Sequence, residues 1–483
     1  MAKKTEVKVI EVIRTGSSVI VPENMSIAEA IDALMMKQRE EEEITNFSER
    51  INAFPWDGAL AMVTAMEELF GYASSQPTQG FFGPEPPEMM SVEVGVGQTK
   101  LVPWGAFKLP GIEGRVSTGF WKNPDGLIQF QITASVKKKN EPHIRRLAKR
   151  TAEIVAVDSI YRGKAIRIKF FDDDGDRIPI PSPTFLDLTR VNEEELIFSD
   201  DVRLAVETNL YAAIEYPEAC RRHKIPLKRG ILFSGPYGVG KTLCGYVAAK
   251  KAVDHGTTFI YCEAANELAD AIRFAQQYAP AVLFCEDIDQ STSGERDEDM
   301  NEVLNVIDGI DAKNIEVTVV LTTNNVEKIN TAMLRPGRID ALIEITPPDA
   351  KAVQKLLRLY GRGLIPADES LVEIGLMLDG TIPAVIGEVV EKAKLASVYL
   401  TKGAFDLVIT EEALLIAAKS MQPQRDILEG KKVERFEIAP HEAVARGLAS
   451  LMHHGNGKDE QTKVFVEDKH HGGKLYGRTM PKT

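Results

Sequence analysis

The eight residues G-P-Y-G-V-G-K-T, at positions 235–242, decide the fold. They fit the phosphate-loop pattern G-x-x-x-x-G-K-[ST], and a strand-like apolar run at 231–234 precedes them while a helical pattern at 243–252 follows. Each residue type has a physical reason. Glycines let the backbone wrap phosphate groups with its N–H groups pointing inward, and the helix N-terminus adds partial positive charge.

These residues predict binding of ATP together with Mg2+. Lys241 is expected to neutralise the β- and γ-phosphates, and the Thr242 hydroxyl is expected to be a magnesium ligand. A loop that binds nucleotide without hydrolysing it is the alternative at this point. The predicted nucleotide-binding residues are Gly235, Pro236, Tyr237, Gly238, Val239, Gly240, Lys241, Thr242 and Leu243.

The pattern of the chain around this loop predicts the fold class. From about residue 200, helical segments alternate with the strand-like runs I-L-F-S, T-F-I-Y-C, A-V-L-F-C, V-T-V-V-L-T-T and A-L-I-E-I-T. Such alternation implies a parallel sheet covered by helices, so the predicted class is α/β. Residues 350–421 are nearly all helical in pattern.

The run A-V-L-F-C at 281–285 is followed by E-D-I-D, which places three acids at a strand end. Successive side chains there point in different directions, so we expect Glu286 to face the magnesium shell and Asp287 to face the attacking water. The common order in nucleotide hydrolases is Asp then Glu, but both side chains are carboxylates and the chemistry survives the reversal. Asp289 is expected to cap the following segment. An active ATPase is predicted, with a degenerate nucleotide-binding scaffold as the alternative.

A second strand-like run, V-V-L-T-T-N-N at 319–325, also ends in polar residues. Asn324 is expected to orient the attacking water. Arg335 and Arg338 then flank a Pro-Gly turn. Two arginines on a turn would by themselves be ordinary surface charge. Because they follow the phosphate loop and both polar strand ends in the sequence, they are candidates for a contact with the γ-phosphate of an adjacent subunit, which requires a ring. The predicted catalytic residues are Asp287, Glu286, Asn324, Arg335 and Arg338, and the predicted metal-site residues are Thr242 and Glu286.

In these motifs, taken in order, the chain resembles the AAA family of ring ATPases. The resemblance covers about residues 195–425, and L-D-G-T-I-P-A-V-I-G-E-V-V-E-K-A at 378–393 is similar to the helical lid of the family. It implies a P-loop AAA core with a helical lid. It also implies a homo-oligomeric ring, a hexamer or heptamer, in which ATP hydrolysis drives work on a partner.

Within the family, the chain resembles the branch that contains the mitochondrial factor translocating the folded Rieske iron–sulfur protein, and its soluble bacterial relatives. That branch also carries Glu-Asp at the acidic strand end, and the segments K-I-P-L-K-R-G-I-L-F-S-G-P and V-L-N-V-I-D-G are similar to it. The segment at 134–150 is a fainter match, and the membrane helix of the branch has no counterpart. Family members that thread unfolded chains have a protruding loop between the second strand and its helix. The segment at 259–268, F-I-Y-C-E-A-A-N-E-L, leaves too little chain for such a loop, which indicates folded protein clients.

The region upstream of the core is predicted to be α+β. Ser26 and Glu29 form a capping box, and helical periodicity, broken at Pro55, extends from Ser26 to about Gly71. Strands are predicted over 91–136 with a hairpin turn at 123–126, a helix over 141–156 and a strand over 160–170. The predicted domains are an N-terminal α+β domain of unknown role (1–128), a small middle domain (129–194), the AAA nucleotide-binding core (195–348), the helical lid (349–425) and a C-terminal extension (426–483).

Composition limits the partners and the compartment. The 483 residues carry a net charge of -13, which argues against sequence-independent nucleic-acid binding by the whole surface. No apolar run is long enough to span a membrane, and the N-terminus lacks the apolar core of a secretory signal. The four cysteines are predicted to be buried thiols, which indicates a cytoplasmic protein.

Three functions therefore compete. The first is a ring-forming AAA ATPase that remodels, chaperones or translocates folded protein clients. The second is a nucleic-acid ATPase, such as a loader or recombination accessory, which would use the dense basic cluster Lys137, Lys138, Lys139, Arg145, Arg146, Lys149 and Arg150. The third is a nucleotide-bound scaffold with little turnover. The sequence favours the first.

Overall fold

The computed structural model describes residues 13–15, 18–21, 25–80, 83–86, 88–124, 126–289, 316–329, 333, 335, 337–403, 406–428, 465–466 and 476–477. The motif at 303–309 and nearly all of the predicted C-terminal extension lie outside these residues. The chain divides into two compact units, residues 1–415 and 416–483, and both large sheets lie in the first.

The first part of the chain contains eleven described strands and three helices. The strands are β1 (Ile13–Thr15), β2 (Ser18–Ile20), β3 (Ile44–Ile51), β4 (Ser74–Ser75), β5 (Thr78–Gly80), β6 (Gly83–Glu85), β7 (Glu88–Gly95), β8 (Gln98–Trp104), β9 (Ala106–Lys108), β10 (Gly114–Lys122) and β11 (Ile128–Lys137). The helices are α1 (Ile27–Glu42), α2 (Pro55–Phe70) and α3 (Glu141–Val157).

The capping box at the start of α1 is confirmed, but the helical prediction for the whole of 26–71 is wrong. The Glu29 carboxylate accepts from the Ser26 amide at 2.8 Å, and the Ser26 hydroxyl accepts from the Glu29 amide at 3.3 Å. Residues 44–51 form β3 instead of helix. The strand pairs antiparallel with β11, whose residues lie roughly 80 to 90 positions later in the chain, and buries Phe47 and Ile51. Long-range pairing and burial of one face outweigh the local helical pattern here.

The N-terminal sheet has five strands in the order β3-β11-β10-β9-β4. Strands β10 and β11 form a hairpin with Phe120 opposite Phe130, as the turn signal at 123–126 predicts. Asn123 fixes the turn, because its side-chain oxygen accepts from the Leu127 amide at 2.7 Å. Helices α2 and α3 pack against each other and against this sheet.

A second sheet of seven strands carries the predicted core, in the order β13-β12-β15-β16-β17-β14-β18. All neighbouring pairs are parallel except β12 with β13. The predicted α/β class, with helices covering a mostly parallel sheet, is confirmed. The strands are β12 (Ala165–Arg167), β13 (Thr184–Phe185), β14 (Arg229–Ser234), β15 (Thr258–Cys262), β16 (Ala281–Cys285), β17 (Val317–Thr323) and β18 (Ala341–Glu344).

Helices flank this sheet and follow it. Those before β18 are α4 (Asp200–Val206), α5 (Ala212–Glu215), α6 (Pro217–Arg222), α7 (Lys241–Asp254) and α8 (Leu268–Gln277), with a π-helical turn at Glu207–Tyr211. Those after it are α9 (Ala350–Gly361), α10 (Val372–Met377), α11 (Pro383–Leu400) and α12 (Glu411–Leu428). Strand β15 leads into α8 through a single 3-10 turn, Ala265–Glu267, as the sequence predicts.

Residues 129–194, predicted as a separate small domain, divide between the two sheets. Strand β11 and α3 belong with the N-terminal sheet, whereas β12 and β13 extend the core sheet beyond β15. The strand predicted over 160–170 shortens to Ala165–Arg167, because only these residues pair with β15.

The two sheets are joined through α2 and α8. The ring of Phe54 packs against Phe274 with ring centroids 5.1 Å apart, and the Phe54 amide donates to the Tyr278 hydroxyl at 2.9 Å. Asp57, which is 1% exposed, accepts from the Ser159 hydroxyl at 2.7 Å, the Ile160 amide at 3.0 Å and the Tyr278 hydroxyl at 3.2 Å. A single apolar core therefore continues from the N-terminal sheet to the core sheet.

Two predictions from the sequence concern the cysteines and membrane spans. All four cysteines are free and buried, as predicted. Among the described residues, no helix is both long and apolar enough to cross a membrane.

Candidate nucleotide site

The phosphate loop connects β14 to α7 at the carboxyl edge of the core sheet. Its backbone requires glycine at two positions at least. Gly235 has φ 154°, and a Cβ there would lie 2.2 Å from the carbonyl oxygen of Ile345. Gly240, with φ 102°, precedes the first residue of α7. The loop thus ends directly on a helix N-terminus, where backbone N–H groups favour an anion.

Lys241 lies inside this loop. Its ammonium donates to the carbonyl oxygens of Gly235 at 2.8 Å and Pro236 at 2.9 Å, and to Oδ1 of Asn324 at 2.7 Å. Burial lowers the pKa of Lys241, and the charge of Asp287 acts in the opposite direction. The cation is thus held where phosphate oxygens could replace its carbonyl acceptors.

The other predicted loop residues differ in exposure. Val239 is buried, whereas Tyr237 is 65% exposed, with its ring centroid 5.9 Å from the Lys241 ammonium. Leu243 is half-buried on the first turn of α7. A Cβ on Gly238 would lie 3.6 Å from the side chain of Ile382, so the segment before α11 approaches the loop.

Glu286 follows β16 and lies against Thr242. One carboxylate oxygen accepts from the Thr242 hydroxyl, and the other accepts from the Tyr261 hydroxyl at 2.6 Å. The two predicted metal-site residues are therefore in direct contact. A hydroxyl and a carboxylate beside a phosphate loop are hard oxygen donors of the kind Mg2+ takes together with nucleotide phosphates, so the residues present fit that ion.

Asp287 turns away from Glu286 through an unusual backbone conformation. Its φ is 45°, a left-handed value that costs a non-glycine residue about 1–2 kcal/mol, although Asp tolerates it better than most. The Asp287 amide donates to the Thr322 hydroxyl at 2.9 Å, and its carboxylate accepts from Nδ2 of Asn324 at 2.7 Å. Burial raises the pKa of Asp287, and the hydrogen bond from Asn324 partly opposes that.

Asn324 connects the two halves of the site. Its side-chain oxygen accepts from Lys241 while its side-chain nitrogen donates to Asp287. Asp289 is buried, and its carboxylate accepts from the Thr323 hydroxyl at 2.9 Å and the Asn324 amide at 3.2 Å. Asp289 thus fixes the end of β17. The residues that it was predicted to cap lie outside the described part of the chain.

Arg335 and Arg338 do not join this cluster. The Arg338 amide donates to the Arg335 carbonyl at 3.1 Å, and a Cβ on Gly230 would lie 1.7 Å from the Arg338 carbonyl oxygen. Asp340 fixes the turn, since its carboxylate accepts from the Gly230 amide at 2.9 Å. Gly230 is at the beginning of β14, about 13 Å of strand from the phosphate loop. Both arginines therefore lie toward the edge of the sheet opposite the other site residues.

The sequence interpretation missed two residues of the site. Tyr261 is only 7% exposed, as a core residue would be, but its hydroxyl contacts Glu286. Thr322 receives the Asp287 amide. Both residues are next to last in strands that neighbour β16, so their proximity to the acidic strand end follows from strand order, which the sequence pattern alone does not provide.

The basic cluster singled out in the sequence is largely neutralised. Six of its seven cations lie within 3.9 Å of a carboxylate: Lys137, Lys138, Lys139, Arg145, Lys149 and Arg150. Their partners include Glu42, which holds Lys137 and Lys139 and has its pKa lowered to about 2 by those two hydrogen bonds. The cluster therefore presents little unpaired positive charge.

Comparisons with known proteins agree with this geometry. The family model described as ATPase family associated with various cellular activities (AAA) matches residues 231–347. The chain is 29% identical over 310 residues to ATP-dependent zinc metalloprotease FtsH 2 of Sphaerobacter thermophilus, covering 59% of this chain and 46% of that protein. It is 30% identical over 229 residues to 26S proteasome regulatory subunit 8 homolog of Schizosaccharomyces pombe, covering 41% and 55%.

A third relative is Proteasome-activating nucleotidase of Methanocaldococcus jannaschii, 27% identical over 276 residues, with coverage of 53% of this chain and 60% of that protein. The chain thus spans about half the length of the curated relatives it matches. The matched segment contains the phosphate loop, the acidic strand end, Asn324 and both arginines. Residues 231–347 of this chain therefore match the model of the AAA family of ATPases.

Proposed function

We propose that this protein is an ATP hydrolase that assembles into a homo-oligomeric ring and uses ATP to remodel, chaperone or translocate protein clients. One observation carries the enzymatic part. Lys241, Asn324 and Asp287 form a continuous series of hydrogen bonds, which places a cation for the phosphates beside a carboxylate for the water.

The residues take distinct roles in this proposal. Lys241 and the loop backbone bind the phosphates, and Thr242 with Glu286 holds the metal ion. Bound Mg2+ would neutralise charge on the phosphates. Asp287 accepts the proton of the attacking water, and its raised pKa suits it to that role better than an ordinary aspartate. Asn324 keeps the Asp287 carboxylate and the Lys241 ammonium at a fixed separation.

The position of the arginines supports the ring. Arg335 is exposed and lies, with Arg338, toward the sheet edge away from the phosphate loop of the same chain. A γ-phosphate contact from either arginine must therefore come from an adjacent copy. A head-to-tail interface of this kind closes into a ring when the rotation permits, and a hexamer or heptamer is our proposal.

Two features support folded protein clients over threaded ones. Strand β15 reaches α8 through one 3-10 turn, which leaves no room for a protruding grip loop. The Glu-Asp order is shared with the Rieske-translocase branch, and our placement of the chain in that branch is part of the proposal. The names of the relatives include a metalloprotease and a proteasome subunit, which favours protein over nucleic acid as the partner.

A nucleic-acid function is the weaker alternative. It needs an exposed basic stripe, and the dense cluster at 137–150 is largely ion-paired with acidic residues. We also propose a cytoplasmic location, because free buried cysteines fit a reducing compartment.

The test is ATP hydrolysis by the purified full chain, measured with and without single-stranded DNA. Lys241→Ala should abolish ATP binding, whereas Asp287→Asn should bind ATP and not cleave it. Strong stimulation by DNA would favour the nucleic-acid alternative. If the wild-type chain assembles with bound ATP and still shows no turnover, the protein is a scaffold and the proposed hydrolase is wrong.

Mixing experiments separate action within one chain from action between chains. Arg338→Ala should lose turnover while isolated subunits keep their ATP affinity. Adding Lys241→Ala subunits should restore part of the activity, because each lysine variant still supplies arginines to a neighbour. No recovery at any mixing ratio would contradict the proposed contact between subunits.

A further inference from the structure

The hydroxyl of Tyr261 is the second partner of the Glu286 carboxylate. It donates to one carboxylate oxygen at 2.6 Å, while the Thr242 hydroxyl donates to the other. Each oxygen of Glu286 thus has a donor from a different element, β15 on one side and the first turn of α7 on the other. The carboxylate is held in one orientation as a result.

A glutamate needs this support more than an aspartate does. Glu286 stands where the common order of acids has Asp, so its carboxylate is carried on one additional methylene and one additional rotatable bond. Fixing an additional torsion costs side-chain entropy, and a long acid without a second partner can adopt several rotamers near the loop. The Tyr261 hydroxyl selects one of them.

Tyr261 is itself held rigidly. Its ring stacks on Tyr246 with centroids 5.9 Å apart and on Phe284 with centroids 6.1 Å apart, and the Arg167 guanidinium lies 5.0 Å from its centroid. Burial, followed by the contact with Glu286, raises the pKa of Tyr261 far above its ordinary value. Because a carboxylate can only accept, the Tyr261 hydroxyl is the donor in this contact.

We propose that Tyr261 is a positioning residue that holds the Glu286 carboxylate toward Thr242 and thereby sets the affinity of the site for Mg2+ in the presence of nucleotide. The inference rests on the proposed function, since it requires that nucleotide and Mg2+ bind at this loop. It concerns a residue that neither the motifs nor the resemblance assigns to the site.

The test is a Mg2+ titration of the full chain with ATP, in which nucleotide binding is followed by calorimetry. Tyr261→Phe keeps the stacked ring and removes the donor. Because a hydrogen bond to a charged group is lost, the half-saturating Mg2+ concentration should rise about tenfold. ATP affinity in the presence of a chelator should stay within about twofold of wild type, since the Tyr261 hydroxyl donates to Glu286 and not to the phosphate loop.

Tyr246→Phe is the matched control. It removes the same atom from the ring stacked on Tyr261, and no hydrogen bond of the Tyr246 hydroxyl is found among the described residues. Its Mg2+ requirement should equal that of wild type. A shift as large as that of Tyr261→Phe would mean that packing of the rings, and not the hydroxyl, sets the affinity, and would overturn the proposal.

A double-mutant cycle tests the role of the longer acid. In Glu286→Asp the carboxylate withdraws from the Tyr261 hydroxyl, so adding Tyr261→Phe should change the Mg2+ requirement less than about twofold. An equal shift in both backgrounds would refute action through Glu286. If Tyr261→Phe alone leaves the Mg2+ requirement unchanged while wild type binds ATP, only this inference fails. If wild type binds no ATP, the proposed function fails with it.

Discussion

Removing the buried carboxylate of Asp57 should destabilise the connection between the two sheets. In Asp57→Ala three donors lose their acceptor: the Ser159 hydroxyl, the Ile160 amide and the Tyr278 hydroxyl. An unsatisfied buried donor costs about 1–3 kcal/mol. Tyr278 is fully buried, whereas Ser159 is half-buried and its hydroxyl can turn to solvent. The Ile160 amide is half-buried too but cannot turn to solvent, so we count it at the low end of this range, and with the Tyr278 hydroxyl we expect a loss of about 2–4 kcal/mol.

Asp57→Asn is the control that separates the hydrogen bonds from the charge. The amide keeps one acceptor oxygen, and the two hydroxyls can accept from its nitrogen, so the expected loss is about 1 kcal/mol. All three tryptophans, Trp56, Trp104 and Trp121, lie in the N-terminal sheet region, so their fluorescence reports on that part of the chain. The assay is urea unfolding followed by tryptophan fluorescence, with midpoints compared at equal slope.

The dependence of stability on pH gives a second readout of the same residue. Burial raises the pKa of Asp57 in the folded chain above the ordinary 3.8, so the folded state binds the proton more tightly than the unfolded state. Wild type therefore loses stability relative to Asp57→Asn as the pH rises from 3.8 through the raised pKa. Below 3.8 the difference between the two should be constant. An Ala variant within about 1 kcal/mol of wild type, or a pH-independent difference between wild type and Asn, would refute this reasoning.

Three further predictions concern the site and the N-terminal sheet. Asn324→Ala should lower kcat about 100-fold with little change in ATP affinity, measured by single-turnover hydrolysis and calorimetry; a weaker affinity at unchanged kcat would contradict the assigned role. Because burial raises the pKa of Asp287, the acidic limb of the kcat–pH profile should lie above 3.8, and a limb at or below that value would show that another group titrates. Gly58→Ala should destabilise the N-terminal sheet by about 1–3 kcal/mol in urea, since its Cβ would lie 2.2 Å from Phe130, whereas Gly119→Ala, whose nearest atom is 3.8 Å away, should not.

Local chemistry made the core predictable. The phosphate loop has fixed spacing between residues whose roles are set by phosphate geometry, and β14 and α7 flank it as the pattern requires. The alternation of strands and helices likewise follows from burial of both faces of a parallel sheet. The capping box at Ser26 involves only residues three apart and was predictable for the same reason.

Long-range pairing made the rest unpredictable. The local sequence of β3 has a helical pattern, and the segment is a strand only because it pairs with β11. The split of 129–194 between two sheets depends on which edge of the core sheet is free to accept β12. The sequence does not reveal that the basic cluster is neutralised, for a similar reason. Lys137 and Lys139 form ion pairs with Glu42, which lies nearly 100 residues earlier in the chain. Tyr261 joins the site only because β15 neighbours β16.

Strand β16 has a mechanical consequence of its own. Tyr278, which carries the link to the N-terminal sheet, lies just before the strand, and Glu286 lies just after it. The five residues of the strand are fully buried between β15 and β17 and span roughly 17 Å. Because β16 is hydrogen-bonded to a strand on each side, it resists bending and stretching. It therefore forms a stiff connection between the acidic residues and the N-terminal sheet. Tension applied to the N-terminal sheet would therefore reach the acidic end of β16 in the candidate nucleotide site.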